Sequence, residues 1–308
     1  MDRILALHQQ LRESMSQEIA DRTRIHQSKI AGLKTAVATR LAAGAPPPSA
    51  PLVMLAHGDS WFDYPLAGNS PSISHTDITV QLESMGNVNP HILNISQWGD
   101  AATAEMSRPK QQLMITALQD PGNWISHGQP DAILFSGGGN DIAGDQFCIF
   151  LDYAAPSVTG LDAARFREAL GIVEASYRDL FAFRDRYAPG VPIFGHCYDF
   201  PIPNGAHPCP GVGPWLQPSL IFCGYNDISH GTAILRQALQ DFRNLLLALA
   251  SETDTSGRPK NNFILVETQG LLDPASDWAN ELHPYPAGFK KIAAQFVQTL
   301  RTHFPGRI

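Results

Sequence analysis

Five short apolar runs alternate with longer helical stretches along this chain, and that alternation constrains the fold more than any other feature. PLVMLA (51–56), HILNIS (91–96), the start of DAILFSGGGND (131–141), VPIFGHCYDF (191–200) and NNFILVET (261–268) each read as a strand. Helical spacing is visible over about 101–119, 162–188, 232–252 and from Ala287 to about 303. Strands that alternate with helices predict an α/β fold: a five-stranded parallel sheet covered on both faces, with right-handed crossovers. In such sheets ligands sit outside the C-terminal ends of the strands. Gly58–Ser60, Gly99 and Gly138–Asn140 fall just past predicted strands, and His283 lies in the loop after the fifth. All four should converge on one edge of the sheet.

Three segments extend this core. Residues 2–43 read as a helix, with Ile4, Leu7, Leu11, Met15 and Ile19 at three- and four-residue steps. Ile25, Ile30, Leu33, Val37 and Leu41 follow less regularly. The helix ends at AAGAPPPSAP, a stiff Pro-rich linker. The expected organisation is therefore a helical segment (1–44), a linker (45–50) and one domain (51–308). The helix either packs on the domain or acts as an arm for a possible homodimer. Two connections, 142–160 and 200–231, are long for a compact domain. In the second, Trp215, Leu216, Leu220, Ile221 and Phe222 either line a pocket or cover the sheet end.

Composition removes several classes of function. A net charge of −7 and the lack of a Lys/Arg block speak against nucleic acid. No run of about 18 apolar residues exists to span a membrane. No signal peptide is visible, so a cytoplasmic location is expected, with export left open. Cys148, Cys197, Cys209 and Cys223 form no C-x-x-C pair and read as free thiols. A disulfide among the last three is the alternative for an exported protein. Zinc held by Cys197, Cys209, Cys223 and His207 fits no structural spacing, so no metal is expected. SGGGND carries neither the dinucleotide-binding nor the P-loop pattern, and no cofactor is expected.

The strand ends hold the parts of an acyl-transfer site. Such chemistry needs a hydroxyl nucleophile, a His to take its proton, a group to orient that His, and donors for the developing oxyanion. Ser60 supplies the hydroxyl, although a Ser before a helical segment is also a common cap. G-x-S-x-G occurs nowhere, which excludes the nucleophile elbow of α/β-hydrolases. Gly99 offers an unobstructed N–H, and the Asn140 side-chain amide can donate to an oxyanion; each is also an ordinary turn residue. His283, held before Pro284, is a fair general base.

Gly58-Asp59-Ser60, the Gly99 of WGD, Gly138-Gly139-Asn140-Asp141 and the His283 of ELHPYPAGF resemble, in order, the blocks of SGNH (GDSL-type) hydrolases. The resemblance spans about residues 52–300 and leaves out the N-terminal helix. It implies a flavodoxin-like three-layer α/β/α fold and ester hydrolysis without metal. It implies Ser60 as nucleophile, His283 as base, and an oxyanion hole from the Ser60 and Gly99 N–H groups and Asn140. One position departs: the family usually has Asp three residues before the His, and here that residue is Asn280. Asn can accept from the His N–H but cannot stabilise an imidazolium by charge. Asp277, Asn280 itself and Glu281 are the candidates to orient His283.

Asp59 is expected to hold the turn rather than act as an acid, and His57 to be structural. Trp61, Phe62 and Tyr64 either wall the site or pack beneath it. The leading expectation is a serine ester hydrolase for small to medium acyl esters, working through an acyl-enzyme and losing rate below a His pKa near the ordinary value of about 6.5. Trp61, Trp215 and Phe222 are its candidate substrate contacts. A carbohydrate O-deacetylase, with Trp61 and Trp215 as sugar platforms, is the second reading. A non-catalytic interaction protein using the N-terminal helix is the third.

Overall fold

The computed structural model describes residues 2–46, 50–65, 76–125, 128–157, 160–208 and 212–308. Residues 47–49 of the Pro-rich linker and Cys209 lie outside them. Five strands form one parallel sheet in the order β2-β1-β3-β4-β5: β1 (Val53–Gly58), β2 (His91–Asn94), β3 (Ala132–Ser136), β4 (Ile193–His196) and β5 (Phe263–Val266). This is the flavodoxin-like order, with the switch point between β1 and β3. The three central strands, β1, β3 and β4, are buried at every position. The edge strands β2 and β5 are buried at only half of theirs. Helices flank the sheet, as apolar strands with two covered faces require.

The helices are α1 (Asp2–Ala42), α2 (Ile78–Leu82), α3 (Ala102–Glu105), α4 (Arg108–Gln119), α5 (Gly139–Ile142), α6 (Ala163–Tyr187), α7 (Gln217–Phe222), α8 (Ile228–Ser251) and α9 (Pro286–His303). The single helix expected over 101–119 is two. Pro109 lies in the first turn of the second, where its missing N–H costs nothing, but it could not continue the first. Of the two long connections, the first holds a 3-10 turn at Asp145–Phe150. The second is shortened by α7 and by an earlier start of α8 than the expected 232. Asp227 makes that earlier start by capping the N–H groups of Ser229 and His230. No described helix is long and apolar enough to cross a membrane. The described cysteines Cys148, Cys197 and Cys223 are free thiols.

α1 packs against the edge strand β2. Ile19, His26 and Ile30 face the domain, while Ile25 and Leu41 point outward. His26 Nε2 bonds the Asn123 carbonyl at 2.9 Å, and Gln27 donates to Asp120 and Asn123. Edge strands present unpaired backbone groups, and a helix laid beside one covers that liability.

Candidate active site

β1 ends in Gly58 because nothing larger fits: a Cβ there would lie 2.5 Å from the Ser136 carbonyl oxygen of β3. The chain turns at once, with the Phe62 and Asp63 N–H groups donating to the Asp59 carbonyl. That turn presents Ser60 beyond the strand end. The Ser60 hydroxyl lies 2.7 Å from His283 Nε2, although 223 residues separate them.

The proton on His283 is placed by Asn280. Asn280 Oδ1 accepts the backbone N–H groups of Leu282 (2.9 Å) and His283 (3.0 Å), which fixes that atom as the oxygen. The same oxygen lies 3.2 Å from His283 Nδ1, so Nδ1 carries the proton and donates it. Nε2 is then a lone pair, and the Ser60 O–H donates to it. Asn280 Nδ2 donates to the Tyr64 hydroxyl at 3.2 Å, and the Tyr64 ring lies 4.6 Å from the imidazole. Burial pushes His283 down to about 3, so the imidazole is neutral, with Nε2 unprotonated, across the physiological range.

Asp277 and Glu281 do not orient His283. Asp277 Oδ2 is held by Lys291 Nζ at 2.5 Å and the Asp273 N–H at 2.6 Å, toward the first turns of α9. Glu281 turns the other way and takes backbone N–H groups of residues 205–217.

Asp59 is buried and holds the turn. Its Oδ1 accepts from the Trp61 N–H at 3.0 Å and the Ser136 hydroxyl at 2.7 Å; its Oδ2 accepts from the Tyr198 hydroxyl at 2.5 Å. His196 Nε2 donates to Ser136 at 2.8 Å, and the Tyr198 hydroxyl accepts the Gly139 N–H at 3.1 Å. One network thus joins the Ser60 turn, β3, β4 and the glycine loop. Burial pushes the Asp59 carboxyl up to about 6. His57 is fully buried, with Nε2 on the Glu105 carbonyl at 2.9 Å, a structural histidine.

The glycine loop is tight for a reason. Gly138 adopts φ +111°, and a Cβ there would sit 2.6 Å from the Phe242 ring. Asn140 follows in α5 and donates one amide hydrogen to the Asp100 carbonyl at 2.8 Å. This ties Asn140 to the turn that carries Gly99. Asp63 braces that turn from below: it accepts the Trp98 N–H at 3.2 Å and pairs with Arg22 of α1 at 3.0 Å.

Ser60, Asn140 and His283 meet at a cleft whose walls include Ile142, Phe147, Leu216, Leu235 and Leu239. Trp61 also reaches it, but is buried among Tyr198, Trp278 and Phe289, so it is no exposed platform. Two expected contacts stand elsewhere. Trp215 packs in a T-shaped contact on the His283 ring, with centroids 5.7 Å apart, and is not among the cleft's described walls. Phe222 is 67% exposed and rests on Tyr153. Leu220, two residues earlier, faces inward, and two residues turn a helix by about 200°. Gly99 is not among the cleft's described walls; it adopts φ +81° in the turn after β2.

The sequence matches the GDSL-like Lipase/Acylhydrolase family over residues 68–296. The chain belongs to this family of carboxylic ester hydrolases. The match begins beyond Ser60, so the serine's place beside His283 is an independent observation from the structure. No curated protein sequence matches the chain. Among solved structures, a lipase from a goat rumen metagenome is similar at a TM-score of 0.51 and 12% identity, covering 80% of this chain and 96% of that one. An extracellular lipase from Streptomyces rimosus gives 0.46 and 16%, with 81% and 98% covered. An acetyl xylan esterase from Butyrivibrio proteoclasticus gives 0.44 and 15%, with 83% and 65% covered. The first of these shows a shared fold.

Within this GDSL-like hydrolase, sequence reasoning missed the group behind the nucleophile: Ser136, His196 and Tyr198. VPIFGHCYDF held a signal, since a strand of a buried sheet that ends in His and Tyr needs polar partners. It also missed Asp63 and Arg22, for which no local pattern speaks.

Proposed function

We propose that the protein hydrolyses small- to medium-chain carboxylic esters through a covalent acyl-enzyme on Ser60. The observation that carries this is the 2.7 Å contact between the Ser60 hydroxyl and a His283 nitrogen free to accept, at the wall of an apolar cleft. Attack of Oγ on the ester carbonyl passes the hydroxyl proton to Nε2. The imidazolium then gives that proton to the departing alkoxide, and the C–O ester bond breaks. A water molecule repeats the sequence on the acyl-serine, releasing the acid and restoring the serine. Asn140 and the N–H groups of Ser60 and Gly99 are the proposed donors to the tetrahedral oxyanion.

The cleft walls Ile142, Phe147, Leu216, Leu235 and Leu239 favour a hydrocarbon chain over a sugar ring. Hydrolysis of p-nitrophenyl acetate, butyrate and octanoate tests the reading, with acetylated xylan oligomers as a control. Turnover of at least one p-nitrophenyl ester is expected. Turnover of the acetylated sugars alone would transfer the assignment to carbohydrate deacetylation, and turnover of none would overturn it.

The pH profile carries a second expectation. The base form of His283 is the working form. Because burial lowers its pKa to about 3, that form persists as the solution is acidified. Therefore kcat/KM at pH 5 should stay within about twofold of its value at pH 7, whereas a histidine at its ordinary pKa of about 6.5 would leave about 4% of that value. The inflection near 6.5 suggested by histidine in general gives way to burial. An acid limb centred near 6.5 would contradict this site.

A further inference from the structure

Glu281 sits between Asn280 and the residue before His283, and it is fully buried. Its carboxylate accepts four backbone N–H groups. Oε1 takes those of Gly205 and Gln217, each at 3.0 Å. Oε2 takes those of Trp215 at 2.6 Å and Leu216 at 2.8 Å. The Glu281 N–H itself donates to the Ala206 carbonyl at 3.2 Å. A carboxylate offers about four lone-pair directions, and all are used. Bonds to an ionised acceptor are roughly twice as strong as neutral ones.

All five partners belong to one segment. Along 201–216 the described residues form no helix; their own bonds, Asn204 N–H to the Ile202 carbonyl and Ala206 N–H to Asn204 Oδ1, are local turns, and Gln217 opens α7. That segment delivers Leu216 to the cleft wall and the Trp215 ring to a T-shaped contact with His283. The loop that carries Asn280 and His283 therefore also carries the clamp that holds Leu216 in the cleft wall. Base and Leu216 are thus held by one loop, and both line the cleft.

We infer that Glu281 is a positioning residue that sets acyl-chain selectivity by fixing the Leu216 wall relative to His283. The inference rests on the ester-hydrolase reading. Glu281→Gln keeps the side chain's size but turns an NH2 group toward two N–H donors, which releases half of the clamp. Glu281→Asp keeps the charge and retracts it by one methylene.

The test compares kcat/KM on p-nitrophenyl acetate, butyrate and octanoate for wild type and both variants, each rate divided by the number of sites titrated with a fluorophosphonate. In Glu281→Gln the ratio of best to worst ester should fall by about fivefold or more, mainly through KM, with Glu281→Asp between it and wild type. A merely structural role would lower all three esters by one factor, and that outcome overturns the inference. So does an unchanged ratio. Hydrogen exchange on wild type provides a reading that needs no variant to fold. The amides of Gly205, Trp215, Leu216 and Gln217 should be protected as a set, and exchange at the rate of exposed loop amides would overturn the clamp. A wild type that turns over none of the esters defeats the ester-hydrolase reading; an active wild type with an unmoved ratio defeats only the role of Glu281.

Discussion

Ser60→Ala should lower kcat/KM on p-nitrophenyl esters by at least about 10³ while leaving the fold intact. The hydroxyl is the only group removed. Among the described residues its side chain bonds His283, which lines the cleft, so the bond that is lost lies at the cleft surface and not within the core. What would remain is the rate due to substrate binding and oxyanion donors alone. His283→Ala should cost a similar factor, and the double variant little more than either single one, because the two residues act as a unit. Steady-state kinetics on the four proteins, with circular dichroism to confirm folding, decides the point. Retained turnover in Ser60→Ala would remove the serine from the chemistry.

Asn280→Asp should do the opposite and raise the rate. In a serine-protease triad, replacing Asp by Asn cost about 10⁴ in kcat, largely through the wrong imidazole tautomer. Here the tautomer is already set, because Asn280 Oδ1 is pinned by the N–H groups of Leu282 and His283 and faces Nδ1. Only the charge is missing. A carboxylate beside Nδ1 would stabilise the imidazolium formed during attack, and a gain of about tenfold in kcat at pH 8 is expected, well short of 10⁴. The same charge raises the pKa of His283 from its lowered value, so the acid limb of the profile should move toward neutrality. A pH–rate profile of the variant measures both effects. A slower enzyme, or a faster one with an unmoved acid limb, would show that charge at this position is not what the site lacks.

The sheet was legible because its central strands are buried on both faces. β1, β3 and β4 read as apolar runs for that reason. Ser60, Asn140 and His283 were legible because strand ends in a parallel sheet point to one edge, and each stood beside a turn signal. The orientation of His283 was not. Asp277, Asn280 and Glu281 lie within five residues on one loop, and only the loop's path decides which oxygen faces Nδ1. Electrostatics favoured an acid there; geometry sent Asp277 to Lys291 and Glu281 to the backbone of residues 205–217. The cleft wall was half legible for a related reason. Leu216 and Phe222 look alike in sequence, but α7 turns the second outward. With Asp59, the residues Ser136, His196 and Tyr198 join three strand ends far apart in sequence; the His and Tyr of VPIFGHCYDF signalled a need for polar partners, but not which ones.

The most direct test of the account is the site of covalent modification. Wild-type protein treated with a fluorophosphonate and digested for peptide mass mapping should carry a single adduct, on Ser60, with loss of esterase activity in proportion to labelling. His283→Ala should label far more slowly. An adduct on another serine, or full esterase activity in protein already modified at Ser60, would contradict the assignment of the nucleophile.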